Sequence, residues 1–132
     1  MTPTFLLLAL VTRPHLPVVQ HLWAPLLVTS AERIDIDTSS VQVLSPSVRR
    51  VWLRWNLQVA AQVTSGPNYQ IEHRDLDCAS HRTRIVEKRT EGGPAGSGNS
   101  MSAQEASWQA PTNGSLLAQV LAATCRLTKA GA

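Results

Sequence analysis

The chain of 132 residues contains only two cysteines, Cys78 and Cys125, and whether they pair constrains its fold more than any other feature. Cys78 closes a strand-like run from Tyr69 to Asp77. Cys125 lies in a helical pattern near the other end. Ser115 follows a Pro111-Thr112-Asn113-Gly114 turn and is suited to cap that helix with its hydroxyl. Leu116, Leu117, Val120, Leu121, Thr124 and Cys125 then recur at helical spacing. Leu117, Leu121 and Cys125 are four apart, so the sulfur points where the leucines point. We therefore expect a Cys78–Cys125 disulfide joining a sheet to a C-terminal helix; the competing reading is two separate buried thiols. Closing so long a loop would stabilise the domain by about 4 kcal/mol, against the ~5–15 kcal/mol of a typical whole domain. A paired set also fits an oxidising compartment.

Elsewhere the pattern has the period of strands. Trp23 to Val28 reads as a first strand, with Pro25 suited to an edge. Arg33-Ile34-Asp35-Ile36-Asp37 alternates, sending Ile34 and Ile36 inward. A turn at Asp37–Ser40 follows, then Val41 and Val43, and Ser45-Pro46-Ser47 interrupts the run. From Val48 to Val63 the alternation is clearest: Val51, Leu53, Trp55, Leu57 and Val59 share one face, and Trp52, Arg54, Asn56 and Gln58 the other. Tyr69–Asp77 and Arg82–Arg89 continue the sheet. The Gly- and Ser-rich Glu91–Ser100 reads as a flexible hairpin tip, and Ser102–Trp108 as a returning strand. Five or six short strands followed by one helix predict an α+β domain, an antiparallel sheet with the helix packed on one face.

The N-terminal stretch stands apart. Phe5 to Val11 is apolar like a secretory signal, but no basic residue precedes it and Arg13-Pro14 ends it early. It is too short to span a bilayer, which takes about 20 apolar residues. Three readings stay open for residues 1–21: an atypical signal, a start assigned too far upstream, or structured chain. No cysteine follows the run to carry a lipid anchor.

Net charge is +3 with 16% charged residues, a mild balance that does not call for nucleic acid. Four of the six aromatic residues are tryptophan. Arg49, Arg50, Trp52, Arg54, Arg82, Arg84, Lys88 and Arg89 form a candidate ligand-binding surface of cations around an aromatic ring. The bland alternative is an ordinary strand face offset by Glu72, Glu87 and Glu91. His73, Asp75, Asp77 and His81 have metal-ligand chemistry, yet ion pairs with Arg74 and Arg82 explain them equally well, and no metal or other cofactor is assigned. Cys78 with His73 or His81 would make a thiolate and a base, but no orienting group or oxyanion donor accompanies them. No catalytic residue is assigned, and the chain is expected not to be an enzyme. Asn113-Gly114-Ser115 matches a glycosylation sequon, which the helix cap explains better.

These residues resemble a known family. Trp23, Ile34-Asp35-Ile36-Asp37, Val51-Trp52, Asp77-Cys78 followed by Arg82 and Arg84, and Trp108, Pro111 and Ser115 ahead of the Cys125 helix are similar to the bacterial surface-adhesin protein E-like domain. The resemblance covers roughly residues 22–127, in a domain placed at 22–129. It implies a secreted, periplasmic or cell-surface module, homodimers, and binding to host extracellular-matrix or plasma proteins. A non-adhesive periplasmic structural or interaction protein of the same fold is the alternative it leaves.

Overall fold

The computed structural model describes residues 20–56, 68–92 and 107–130. Six strands and one helix are seen among them: β1 (Trp23–Val28), β2 (Arg33–Asp37), β3 (Gln42–Val43), β4 (Val48–Asn56), β5 (Asn68–Asp77), β6 (Arg82–Gly92) and α1 (Leu116–Leu127). The strands form one antiparallel sheet in the order β1-β2-β4-β5-β6, with β3 paired to the start of β4. The expected α+β architecture with its closing helix is what the chain adopts.

Each strand follows from its alternation. Ile34 and Ile36 of β2 stand opposite Trp55 and Leu53 of β4. With Val51 and Leu76 they meet Val120 and Leu121 of α1 in one buried cluster. Leu26, Leu27, Val41, Leu116 and Cys125 pack around it. Pro25 sits on the edge strand β1, where its missing N–H costs no ladder bond. β4 is described only to Asn56, so Leu57, Val59 and the rest of the run to Val63 lie outside the described residues. β6 runs past Arg89 to Gly92, because Glu91 and Gly92 pair with Tyr69 and Asn68. That removes Glu91 and Gly92 from the expected hairpin tip. The rest of the tip and the returning strand up to Ala106 lie outside the described residues. Of the returning strand, Trp108 is described, and just after it Gln109 exchanges two backbone hydrogen bonds with Thr83 at 2.8 and 2.9 Å.

The helix begins as its sequence dictates. Ser115 Oγ accepts from Ala118 N at 3.2 Å, satisfying one of the free N–H groups of the first turn. Thr124, buried mid-helix, donates its hydroxyl to Val120 O at 2.8 Å and so brings no unpaired polar group into the core. Cys125 is bonded to Cys78 with Cα atoms 5.9 Å apart. Cys78 N also donates to Ser47 O at 2.8 Å, so the bridge ties α1 to the corner where β5 leaves β4.

One irregularity decides what the outer face carries. His73 stands opposite Glu87, but Arg74 stands opposite Ile85, so Val86 is an extra residue in β6. The bulge reverses the alternation of β6. Even-numbered Arg82 and Arg84 and odd-numbered Glu87 and Arg89 therefore lie on one face, opposite Asp77, Asp75, His73 and Ile71 of β5.

Candidate functional site

The face of the sheet away from α1 carries most of the chain's arginines and tryptophans. From β4 it receives Arg50, Trp52 and Arg54, whose partners on β5 are Asp75, His73 and Ile71. From β2 it receives Asp35, opposite Arg54, and from β1 Trp23, opposite Asp37.

Two carboxylates organise the cations. Asp75, 0% exposed, accepts from Arg50 Nε at 2.7 Å, Arg50 Nη2 at 3.0 Å and Arg84 Nε at 2.9 Å. Asp35 accepts from Arg33 Nε at 3.0 Å and from Arg54 Nη2 and Nε at 2.8 and 3.2 Å. Burial pushes the Asp75 carboxyl up, but the hydrogen bonds from Arg50 and Arg84 outweigh it and hold the group below the usual carboxylate range. The Arg50 guanidinium is in turn held more firmly protonated, chiefly by its bond to Asp75. Each cluster sets two guanidiniums against one carboxylate, leaving one positive charge that is partly exposed to solvent.

Rings fix the guanidinium planes. Arg54 lies between Trp23 and Tyr69, at 4.8 and 4.7 Å from their centroids. Arg84 lies 4.6 Å from Trp108, and Arg89 lies 5.7 Å from Trp52. Trp52 stacks on His73 with centroids 4.1 Å apart and planes within 5°. His21 approaches Trp52 and Trp23 at 5.3 and 4.7 Å. Arginines held this way lose little freedom on meeting a partner.

The N-terminal end of the face is closed by Asp37. Its buried carboxylate accepts from His21 Nδ1 at 2.7 Å, Leu22 N at 3.0 Å, Ser39 N at 2.9 Å, and the Ser39 and Ser40 hydroxyls at 2.6 Å each. Burial alone would raise this carboxyl; the bonds from Ser39, Ser40 and His21 overcome it and keep it ionised well into acid.

Of the candidate surface residues, Arg50, Trp52, Arg54, Arg82, Arg84 and Arg89 come together on this face. Arg49 and Lys88 do not. Arg49 pairs with Leu76 on the helix side, is buried, and donates Nη1 to Ser45 O at 2.8 Å, bracing the turn before β4. Lys88 stands opposite Glu72, also on the helix side.

The four residues with metal-ligand chemistry are engaged separately. Asp75 is enclosed by guanidiniums. Asp77 Oδ1 accepts from Ala79 N and Ser80 N at 3.1 and 3.2 Å. His73 lies flat against Trp52. His81 holds a left-handed turn conformation, φ 54°, beside a cleft of about 250 Å³ next to the disulfide. Among the described residues no group of three or more such side chains is placed to hold a metal. Cys78 is bonded to Cys125 and has no thiolate to offer.

Sequence reasoning overlooked His21, Trp23, Asp35, Tyr69 and Trp108 as members of this surface. Asp35 was accessible in principle, since Ile34 and Ile36 facing inward sends it outward. The ring partners required the register of β1 against β2 and of β4 against β5.

The surface-adhesin protein E family model matches residues 23–126. No curated protein matches the chain. No helix among the described residues is long and apolar enough to cross a membrane.

Proposed function

Since the chain belongs to the surface-adhesin protein E family, we propose that it is an exported binding module whose contact surface is the arginine- and tryptophan-bearing face of the sheet, and that its partners are extracellular-matrix or plasma proteins of a host. The observation that carries this reading is the clamping of Arg54 between Trp23 and Tyr69, with Arg84 stacked on Trp108 nearby. Arginine and tryptophan dominate the energetics of protein interfaces, and rings that hold guanidiniums in place reduce the ordering cost of association. Because Asp35 and Asp75 each offset one of their two arginines and Glu87 adds a negative charge, the face is only modestly positive, which favours a protein of mixed charge over a uniformly polyanionic partner. Location outside the cytoplasm, in the periplasm or at the cell surface, accords with the disulfide.

A second reading rests on the same carboxylates. With much of the positive charge already paired, the face would equally serve contacts within the cell envelope, making the chain a non-adhesive periplasmic interaction protein. Binding of the purified protein to immobilised matrix and plasma proteins at about 0.15 M salt separates the two. The adhesive reading expects saturable binding to at least one of them, weakened when Arg84→Ala and Trp108→Ala are combined. A protein inert toward the whole set supports the second.

A further inference from the structure

His73 has chemistry that the contact face does not need. It sits on the inner strand β5 at the centre of that face, half-buried, with its ring flat against Trp52. Its Nε2 is sealed from solvent without a hydrogen-bond partner. Packing alone would be met by phenylalanine. An imidazole adds two ring nitrogens, and with Nε2 left unpartnered, what that nitrogen contributes is a place for a proton.

The groups facing it determine what that proton does. From β4 come Arg50 and Trp52, with Arg54 beyond. Glu87, its register partner, and Arg89 come from β6, and Asp75 lies on its own strand. His21, bonded to Asp37, approaches the same indole from the segment before β1. Burial and the Arg50 charge oppose protonation, while Glu87 and Asp75 favour it less strongly. Neither Glu87 nor any other acceptor bonds Nε2 where it lies, and Asp75 is already taken by two guanidiniums, so beyond those two charges the attraction of the indole face for an imidazolium is the sole gain set against the loss of its hydration.

We propose that the His73–Trp52 stack is a proton-operated latch: with His73 neutral the two rings lock β4 to β5 at the centre of the contact face, and protonation drives His73 out of the stack in mildly acidic medium. The released imidazolium reaches water, and Trp52 loses the ring that fixes its plane. The surface around Arg89 and Arg50 then loses its preformed shape. The latch concerns the chain alone; only its consequence for binding rests on the adhesive reading, so either can fail without the other.

The test is a histidine-ring and tryptophan-indole NMR titration of the intact protein from about pH 7.5 to about pH 4.5, bracketing the ordinary imidazole range. The Trp52 indole signal is assigned with Trp52→Phe. The expected result is a loss of the stacking-induced shift of Trp52 with the same midpoint as His73 protonation, while Trp108 stays still. In His73→Phe, which keeps a ring but no proton, the Trp52 signal should remain at its neutral-pH position throughout. Trp52 remaining fixed while His73 titrates would overturn the latch. So would a Trp52 step that survives in His73→Phe, since His21 would then be its source.

Discussion

Arg50 grips Asp75 at two points, Nε to Oδ1 at 2.7 Å and Nη2 to Oδ2 at 3.0 Å, across adjacent strands. Arg84 takes the second oxygen from the other side at 2.9 Å. The carboxylate is wholly enclosed, whereas the Arg50 and Arg84 side chains keep 29% and 36% of their exposure. Loss of the acid therefore brings two cations together without their common counter-ion. Asp75→Asn should destabilise the fold by about 3 kcal/mol, read as a lower urea midpoint with an unchanged slope. A midpoint equal to that of the parent would show that solvent supports the arginines without it.

Acid should unfold the protein through two kinds of group. Asp75 and Asp37 have folded pKa values below the ordinary 3.8. The unfolded chain takes up protons at these sites first, so the stability they supply is complete above that value and is lost as pH falls through their folded values. His73, lowered from 6.5, contributes stability that is complete above 6.5 and declines as pH drops through its folded value. We expect a shallow decline below 6.5 and a steep one below 3.8. Thermal midpoints measured across pH check this, and His73→Phe should abolish the first decline only.

Removing the covalent tie should be costly. The bridge closes 47 residues of sequence separation, which the chain-entropy account values at about 4 kcal/mol. Cys78→Ala with Cys125→Ala should lower stability by that order while leaving far-UV circular dichroism in buffer close to native. Reductant should then have no further effect on the variant, though it weakens the parent.

The cap offers a local test. Ser115→Ala leaves Ala118 N without its acceptor and should cost about 1 kcal/mol. Ser115→Asp should retain most of the stability, because the aspartate still accepts from that N–H and sits favourably at the helix start.

On the binding face, Arg54→Lys keeps the charge but loses the planar group seated between Trp23 and Tyr69. We expect a stability loss of about 1 kcal/mol, and a faster off-rate from whichever immobilised matrix or plasma protein the parent binds. An unchanged off-rate would place the contact elsewhere.

Much of the architecture was legible in the order of residues. Ile34, Ile36, Val51 and Leu53 alternate so regularly that their face is fixed before any partner is known, and the leucine row carrying Cys125 pointed the sulfur inward. The surface was less legible. Arg49 read as a cation like its neighbours, although the alternation of β4 already set it on the side of Val51 and Leu53; the side of Lys88 was not legible, since it depends on one extra residue in β6. The pairing of Asp35 with Arg54 is likewise non-local: nothing in the sequence near either residue predicts that β2 lies beside β4 in that alignment.

The unpaired residue Val86 gives the pairing of β6 an authority that composition lacks. Were the bulge straightened so that Val86 paired with Arg74 while the strand stayed anchored at Glu87 and Arg89, Arg82 and Arg84 would turn toward the helix and Thr83 and Ile85 toward the outside. Two cations would be forced among aliphatic groups, and a greasy stripe would replace them. The character of the outer face thus rests on the backbone irregularity at Val86 being kept, and removal of Val86 itself would leave both flanks facing as they do.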